Sequence, residues 1–478
     1  MKPALYRPAS AAFALAVAFA PLGCASVSAK PAFDDLARLL AARGVGELHW
    51  DQGTAADEKL KAHVRDLLRG VLSPQAAVEV ALLRNQGLVA TYEELGIAQA
   101  DLVQAGLLRN PSFGVRVRFP TGSGSLDSEF SLAQDFLDLF TLPLRKRVAS
   151  AQLEGTKARV GNAVLALAAQ TRQAVLSLQA AQATVEVRAL VLQAQAAAAE
   201  LRRRQERAGN IGMLDAAQEE AFYEQGRLDL SRDQARVVEE REQVNRLLGL
   251  WGDESTSWKV ESLMPDLPVT ELALSQVESL AVGRRLDLAA LHSDAQSLEE
   301  AASLLGVTRV LPALQAGVST ERDAEGTRVT GPQLSLELPL FDQGQAGAAR
   351  LGAQLRRARA REAELSVNVR AEVRSLRSRL LTARAAAERY RTVLLPLRER
   401  IVKEAQLRYN ANLLGVFQLL AARREEIDGY RDYLAAVRDY WMARAELERA
   451  AGGALAPQAP PASQAPPASQ APAEEKKP

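Results

Sequence analysis

Few side chains in this sequence are equipped for bond-making chemistry, and those few are scattered. Its 478 residues hold three histidines, His49, His63 and His292, and one cysteine, Cys24. A zinc site needs three or four such ligands at short, regular spacings, and these residues have none. No Walker loop, dinucleotide fingerprint or nucleophile elbow is present. The adjacent carboxylates Glu219-Glu220 and Glu425-Glu426 lie in strongly charged helical stretches, where solvation accounts for them. The reading is a non-enzyme with no cofactor and no bound metal.

Cys24 is the one residue with a chemistry of its own. Lys2 and Arg7 precede an unbroken apolar run, Ala11 to Ala20, too short to span a bilayer as a helix. Leu22-Gly23-Cys24-Ala25 then has the form of a lipobox, in which the thiol is acylated and Cys24 becomes the new first residue. Pro21 departs from the leucine usual there, and Val27-Ser28-Ala29 offers a rival cleavage site. Residues 1–23 are expected to be a signal peptide, and Ala25 after the cysteine resembles outer-membrane-sorted bacterial lipoproteins.

Lys and Arg number 59 against 58 Asp and Glu, which excludes the basic excess on which nucleic-acid binding depends. Aromatics are 5% and charged residues 24%, while alanine is abundant. That balance suits long helices in close contact rather than one aromatic core. After the signal, Gly161 to Leu192 is the most apolar long stretch, but Gln170, Arg172, Gln173 and Arg188 interrupt it. A mature chain that enters lipid must then do so by barrel strands.

The body is duplicated at an offset of roughly 200 residues, a period of domains rather than of a solenoid. Asn110-Pro111-Ser112 is answered by Leu311-Pro312-Ala313, Phe136-Leu137-Asp138 by Leu340-Phe341-Asp342, and Ala208-Gly209-Asn210 by Ala411-Asn412-Leu413. The expected layout is an N-terminal extension 24–72 with a short helix or two, a first repeat 73–252, a linker 253–270, a second repeat 271–452, and a disordered Pro/Ala/Gln-rich tail 453–478.

Each repeat has the same order. A first helix runs from Ser73 to about Leu108, with an N-cap and a proline behind it, and from Glu271 to about Leu311 in the second copy. Two short strands follow, about 113–119 and 129–137, then 313–320 and 333–338. In the first, Phe113, Val115, Val117 and Phe119 alternate with Arg116 and Arg118; in the last, Leu334, Leu336 and Leu338 alternate with Gln333, Ser335 and Glu337. A long helix comes next, Leu144 to Ala208, on the order of 100 Å at helical rise. It turns at residues 209–212 and returns over Leu214 to Leu248. The second copy runs Gln345 to Tyr409, kinked at Pro396, turns at 410–415 and returns over Val416 to Ala450.

Four strands cannot close around an aqueous lumen, and a lone hairpin is not stable. The solution is several subunits donating four strands each to one barrel, apolar faces to lipid and Arg116, Arg118, Asp135 and Glu337 to the lumen. The long helices, with their coiled-coil spacing, would continue that barrel as a tube.

This order resembles TolC-like outer-membrane efflux proteins. The resemblance covers about Ser73 to Gly452. It rests on Ala105-Gly-Leu-Leu-Arg-Asn-Pro-Ser112 entering a strand, Phe136-Leu-Asp-Leu-Phe140 leaving one, and Ala208-Gly209-Asn210 followed by Leu214-Asp215 at the hairpin turn. It implies a mainly α chain with a small β-barrel contribution, working as a homotrimeric duct in outer-membrane lipid. The implied partners are a periplasmic adaptor (a membrane fusion protein) and an inner-membrane pump of the resistance-nodulation-division type. It also implies that the hairpin turns form the periplasmic tip, where closure occurs. Gly209, Asn210 and Asp215 match the first tip; Asn412, Gly415 and Gln418 belong to the second, with Arg207, Arg408 and Tyr409 just before the turns. Gln418 and Ala421 stand where related channels can carry acids, so an acidic ring would rest on Asp215. Rival readings are a type I secretion duct, which shares the architecture, and a periplasmic adaptor or coiled-coil lipoprotein. An adaptor would need a lipoyl-like β domain around a single hairpin, and a coiled coil has no use for repeated strand pairs.

Overall fold

A computed structural model describes residues 27–50, 53, 55–119, 126–261, 263–269, 274–310, 313–322 and 326–455. The signal peptide, Cys24, Pro312 and the tail from residue 456 lie outside the described residues. In chain order the elements are α1 (Lys30–Ala41), α2 (Ala55–Arg69), α3 (Pro74–Arg84), α4 (Gln86–Ala105), β1 (Ser112–Arg118), β2 (Asp127–Asp135), α5 (Leu137–Arg207), α6 (Met213–Leu248) and the short α7 (Glu254–Ser257). Then follow α8 (Val277–Arg284), α9 (Leu286–Thr308), β3 (Leu314–Arg322), β4 (Arg328–Leu336), α10 (Gln345–Arg389), a π-helical turn Tyr390–Leu394, α11 (Leu395–Asn410) and α12 (Val416–Ala450).

The expected first helix of each repeat is two helices. In the first copy the break is Asn85, in extended conformation (ψ 112°), between α3 and α4. Its side chain accepts from Leu88 N at 2.9 Å, capping α4, and donates to the Leu247 carbonyl at 2.9 Å. In the second copy the break is Arg285 (ψ 127°), between α8 and α9. A glycine packs on each break. Gly249 (φ 68°) and Gly452 (φ 80°) adopt the left-handed conformation. A Cβ there would lie 2.9 Å from the Arg84 carbonyl oxygen in one copy and 2.7 Å from that of Arg284 in the other. The duplication thus extends to backbone geometry.

The Pro396 kink is the π turn. Proline has no N–H to give the ladder, and the widened turn just before it takes up the mismatch.

Two compact units divide the chain. One combines residues 1–35, 93–156 and 296–355; the other combines 36–92, 157–295 and 356–478. Each therefore draws on both halves of the sequence. The first contains the single sheet, antiparallel in the order β1-β2-β3-β4. β2 pairs with β3 from Ser128↔Arg322 to Asp135↔Gln315, which joins the hairpins of the two repeats.

The second unit contains most of the core. Its largest fully buried side chains include Trp258, Tyr92, Tyr440, Leu178, Leu380 and Leu447. The segment expected to be a linker is packed: Trp258 donates to Asn245 Oδ1 at 2.9 Å, the Arg241 guanidinium lies 4.3 Å over its ring, and Met264 and Leu267 are buried. The N-terminal extension is packed as well. Leu40, Val64 and Leu72 are buried, and the Arg43 side chain donates to the Gly452 carbonyl at 3.2 Å and to that of Arg284. Helix α5 contains a window apolar enough for a membrane span by length and composition, but 39% of that window is buried within the protein. Its Ala-rich surface, with Val175, Leu178 and Ala180 all buried, serves helix packing.

Candidate functional site

Three places carry the chemistry: the two faces of the sheet, the junction of sheet and helix in the first repeat, and the hairpin tips.

The register sorts the sheet into two faces. Phe113 pairs with Leu132 and Val115 with Phe130; Leu132 pairs with Val318, and Ala316 with Leu334. These residues share one face, and it is bare: Phe113 is 68% and Leu334 71% exposed. The other face is polar. Arg116 pairs with Glu129 at 2.6 Å and Arg118 with Asp127 at 3.1 Å, each directly across β1 and β2. Glu321 lies beside Glu129 in the register and 3.8 Å from Arg118. Gly114, Ser131, Ser319 and Gly331 form the adjoining row of that face. Arg116 and Arg118 therefore occupy the polar face as the sequence pattern requires. Glu337 lies one residue past the end of β4 at Leu336, and its N–H donates to the Ala313 carbonyl at 3.4 Å.

Asp135 shares the parity of Glu129 and Ser131 and has a second role besides. It closes β2 within an ion cluster, formed by the strand-entry and strand-exit motifs, in which Asp138 alone is fully buried. The Arg109 guanidinium reaches Asp135 at 3.1 Å and Asp138 at 3.2 Å, while its backbone N–H donates to Asp138 at 2.9 Å. Arg145, two turns along α5, stands 3.2 Å from the same Asp138, which is fully buried. Asp135 Oδ1 accepts from Leu137 N at 3.0 Å, at the first turn of α5. Arg109, Asp138 and Arg145 escaped the sequence reading. Arg109 and Asp138 lay inside its two motifs, and an arginine before Asn-Pro facing an aspartate after the second strand was the available signal.

Both tips are closed by one hydrogen-bond pattern. Gly209 (φ 72°) donates to the Glu206 carbonyl at 2.8 Å, and Asn210 to Gln205 at 2.9 Å. Asn412 (φ 58°) donates to Tyr409 at 3.0 Å, and Leu413 to Arg408 at 2.8 Å. This is the Schellman end, with glycine in one copy and asparagine, the side chain that best tolerates αL, in the other. Gly212 and Gly415 then start the return helices in extended conformation, and Gln418 accepts from Gly415 N at 3.1 Å. Asp215 sits in the first turn of α6, where the helix dipole favours a carboxylate. Arg408 is spent on Glu404, one turn back, at 3.1 Å. Arg207 and Tyr409 are exposed.

Between the two hairpins, close to the tips, lie contacts that sequence spacing did not reveal. The Arg202 guanidinium of α5 lies 3.0 Å over the Phe417 ring of α12, and Arg424 of α12 lies 3.8 Å over Phe222 of α6. The two pairs are reciprocal, each hairpin giving one cation and one ring. Their sequence signal was a phenylalanine in each return helix, amid alanine, leucine and charge.

Comparison with known proteins fits this geometry. No protein-family model matches the chain. The cobalt-zinc-cadmium resistance protein CzcC of Cupriavidus metallidurans is 24% identical, over 80% of this chain and 90% of that protein. The outer membrane protein VceC of Vibrio cholerae superposes with a TM-score of 0.66 at 17% identity, covering 80% of this chain and 96% of that one. This chain has the TolC-like fold. The Campylobacter jejuni CmeC outer membrane channel shares it with a TM-score of 0.66 at 16% identity, over 86% and 91% of the two chains.

Proposed function

We propose that this chain is one subunit of a homotrimeric outer-membrane efflux duct, a passive conduit that carries substrate from a periplasmic adaptor and a resistance-nodulation-division-type pump across the outer membrane. The observation that carries the reading is the sheet. It has one exposed, mainly apolar face, one polar face, and two edges, β1 and β4, left unpaired among the described residues. Exposed edges and a bare apolar face are liabilities in a soluble protein. Closed head to tail with further copies, β1 of one against β4 of the next, the edges vanish and the apolar face meets lipid.

Closure belongs at the tips in this reading. Arg202–Phe417 and Arg424–Phe222 hold the hairpins together there, supported in the second hairpin by Tyr430, which donates to Glu399 at 2.6 Å. Met213, Leu214 and Leu413 are exposed at the turns and offer an apolar surface to an adaptor. The likeness to a cobalt-zinc-cadmium resistance protein favours metal ions over proteins as cargo.

The test is purification from outer-membrane fractions followed by reconstitution in planar bilayers. A heat-modifiable trimer with discrete single-channel conductance is expected. A monomer that extracts without detergent and conducts no current would contradict the reading.

A further inference from the structure

The two hairpins of the sheet repeat one register. Phe113↔Leu132 and Arg118↔Asp127 in the first are answered, residue for residue, by Leu314↔Leu336 and Ser319↔Gly331 in the second. The flanking motifs keep the same offsets: Pro111 before β1 corresponds to Pro312 before β3, and Phe136 after β2 to Leu340 after β4. β1 is thus the counterpart of β3, and β2 of β4. The β2·β3 junction, which joins the two repeats within one chain, then has its counterpart in β4 of one copy against β1 of the next. The same offsets turn Gln134↔Ala316 into Leu338 opposite Val115, and Ala133↔Gly317 into Glu337 opposite Arg116. Likewise Leu132↔Val318 becomes Leu336 opposite Val117, and Ser131↔Ser319 becomes Ser335 opposite Arg118.

We propose that the two free sheet edges meet in this register, with Glu337 of one copy paired to Arg116 of the next across each seam. This alignment rests on the duct reading, and it specifies which residues of the second copy meet which. Side-chain chemistry agrees with it. Leu336 and Leu338 meet Val117 and Val115, all of them exposed in the single chain. A displacement by one residue would set those leucines against arginines. A displacement by two keeps the faces, and there the duplication decides. Arg116 is 62% exposed and holds one carboxylate, Glu129; its donor fork has room for a second. Glu337 is exposed, and its carboxylate has no partner among the described residues. Its N–H turns inward to Ala313. Towards the next copy it therefore stands at a non-hydrogen-bonded position, where facing side chains approach most closely. An exposed ion pair adds little stability; its contribution here is to the choice of register.

The test is disulfide formation in isolated outer membranes, with copper phenanthroline as oxidant. The parent chain, whose only cysteine is Cys24, sets the background. Ser335→Cys combined with Arg118→Cys places two thiols at a proposed pairing. β1 and β4 are opposite edges of one sheet, so a disulfide between these positions joins two copies. A covalent trimer on denaturing gels is expected. It should form at least about tenfold faster than from the slipped pairs, Ser335→Cys with Arg116→Cys and Glu337→Cys with Arg118→Cys, whose thiols lie on the diagonal. In a mutant cycle, Arg116→Gln should lower the temperature of trimer dissociation less in a Glu337→Gln background than in the parent. Equal lowering in both would overturn the ion pair. Faster cross-linking by a slipped pair, or none from a chain that still migrates as a trimer before boiling, would overturn the register. A chain that migrates as a monomer before boiling would overturn the duct reading as well.

Discussion

At the residue scale the sharpest expectation lies at the root of the sheet rather than at the tips, where the proposed mechanism acts. Asp138 is a fully buried carboxylate whose charge is met by Arg109 and Arg145. Removing Asp138 leaves the buried nitrogens of the Arg145 guanidinium without their counter-charge, a loss of about 3–5 kcal/mol. Asp138→Asn is therefore expected to lower the thermal midpoint of the folded protein strongly, and Arg118→Gln, at an exposed cross-strand pair, to change it little. Comparable losses in the two variants would remove the cluster's structural role. A second residue-scale expectation concerns pH. Burial pushes the Asp287 carboxyl up, but the two-pronged contact with Arg285, at 2.6 and 3.0 Å, outweighs it and holds the group below its usual range. A carboxyl depressed in the folded state contributes stability that is complete above its unfolded value, about 4, and is lost as pH falls through the lower folded value. Acid unfolding curves of the protein and of Asp287→Asn should therefore converge at the acid end and separate toward neutral pH, the parent being the more stable. A constant gap between them at all pH values would show that the ionised form is not what stabilises.

At the scale of elements, the glycines at the two helix breaks set the repeat geometry. Ala at 249 or 452 would force a left-handed conformation, costing about 1–2 kcal/mol, and press a Cβ onto the Arg84 or Arg284 carbonyl oxygen. Gly283, inside α8 with open space around it, gives the opposite expectation: Gly283→Ala should stabilise slightly. Limited proteolysis and thermal denaturation of the three variants check both signs. Much at this scale was legible in the sequence, because proline, glycine and period mark element ends. The start of α12 at Val416, the end of α6 at Leu248 and the π turn before Pro396 fall where those signals place them. The breaks at Asn85 and Arg285 were not legible. The apolar pattern continues straight through them, and what interrupts the helix is an asparagine cap in one copy and a distant ion pair, Arg285 with Glu372, in the other. For the same reason the sheet faces were readable from alternation, whereas the Asp138 cluster and the arginine–ring pairs were not. Arg109 stands 29 positions from Asp138, and Arg202 stands 215 from Phe417, and no local period encodes such pairings.

For the molecule as a whole, the two tips share one backbone pattern but differ in side chains. Duplication therefore preserved the turn and left the surface free to diverge, with Asp215 in one copy where Gln418 stands in the other. The sheet is the reverse case: each hairpin contributes half of a surface that has meaning only once β2 pairs with β3 and further copies close the ring. A duct requires that closure, and side-chain accessibility in the outer membrane tests it most directly. Single cysteines at Ser131 and Ser319, on the polar face, and at Leu132 and Val318, on the apolar face, should report opposite environments in isolated outer membranes. A water-soluble thiol reagent is expected to label the first pair, and lipid-borne nitroxides to quench probes at the second. Equal aqueous labelling at all four positions would contradict the duct.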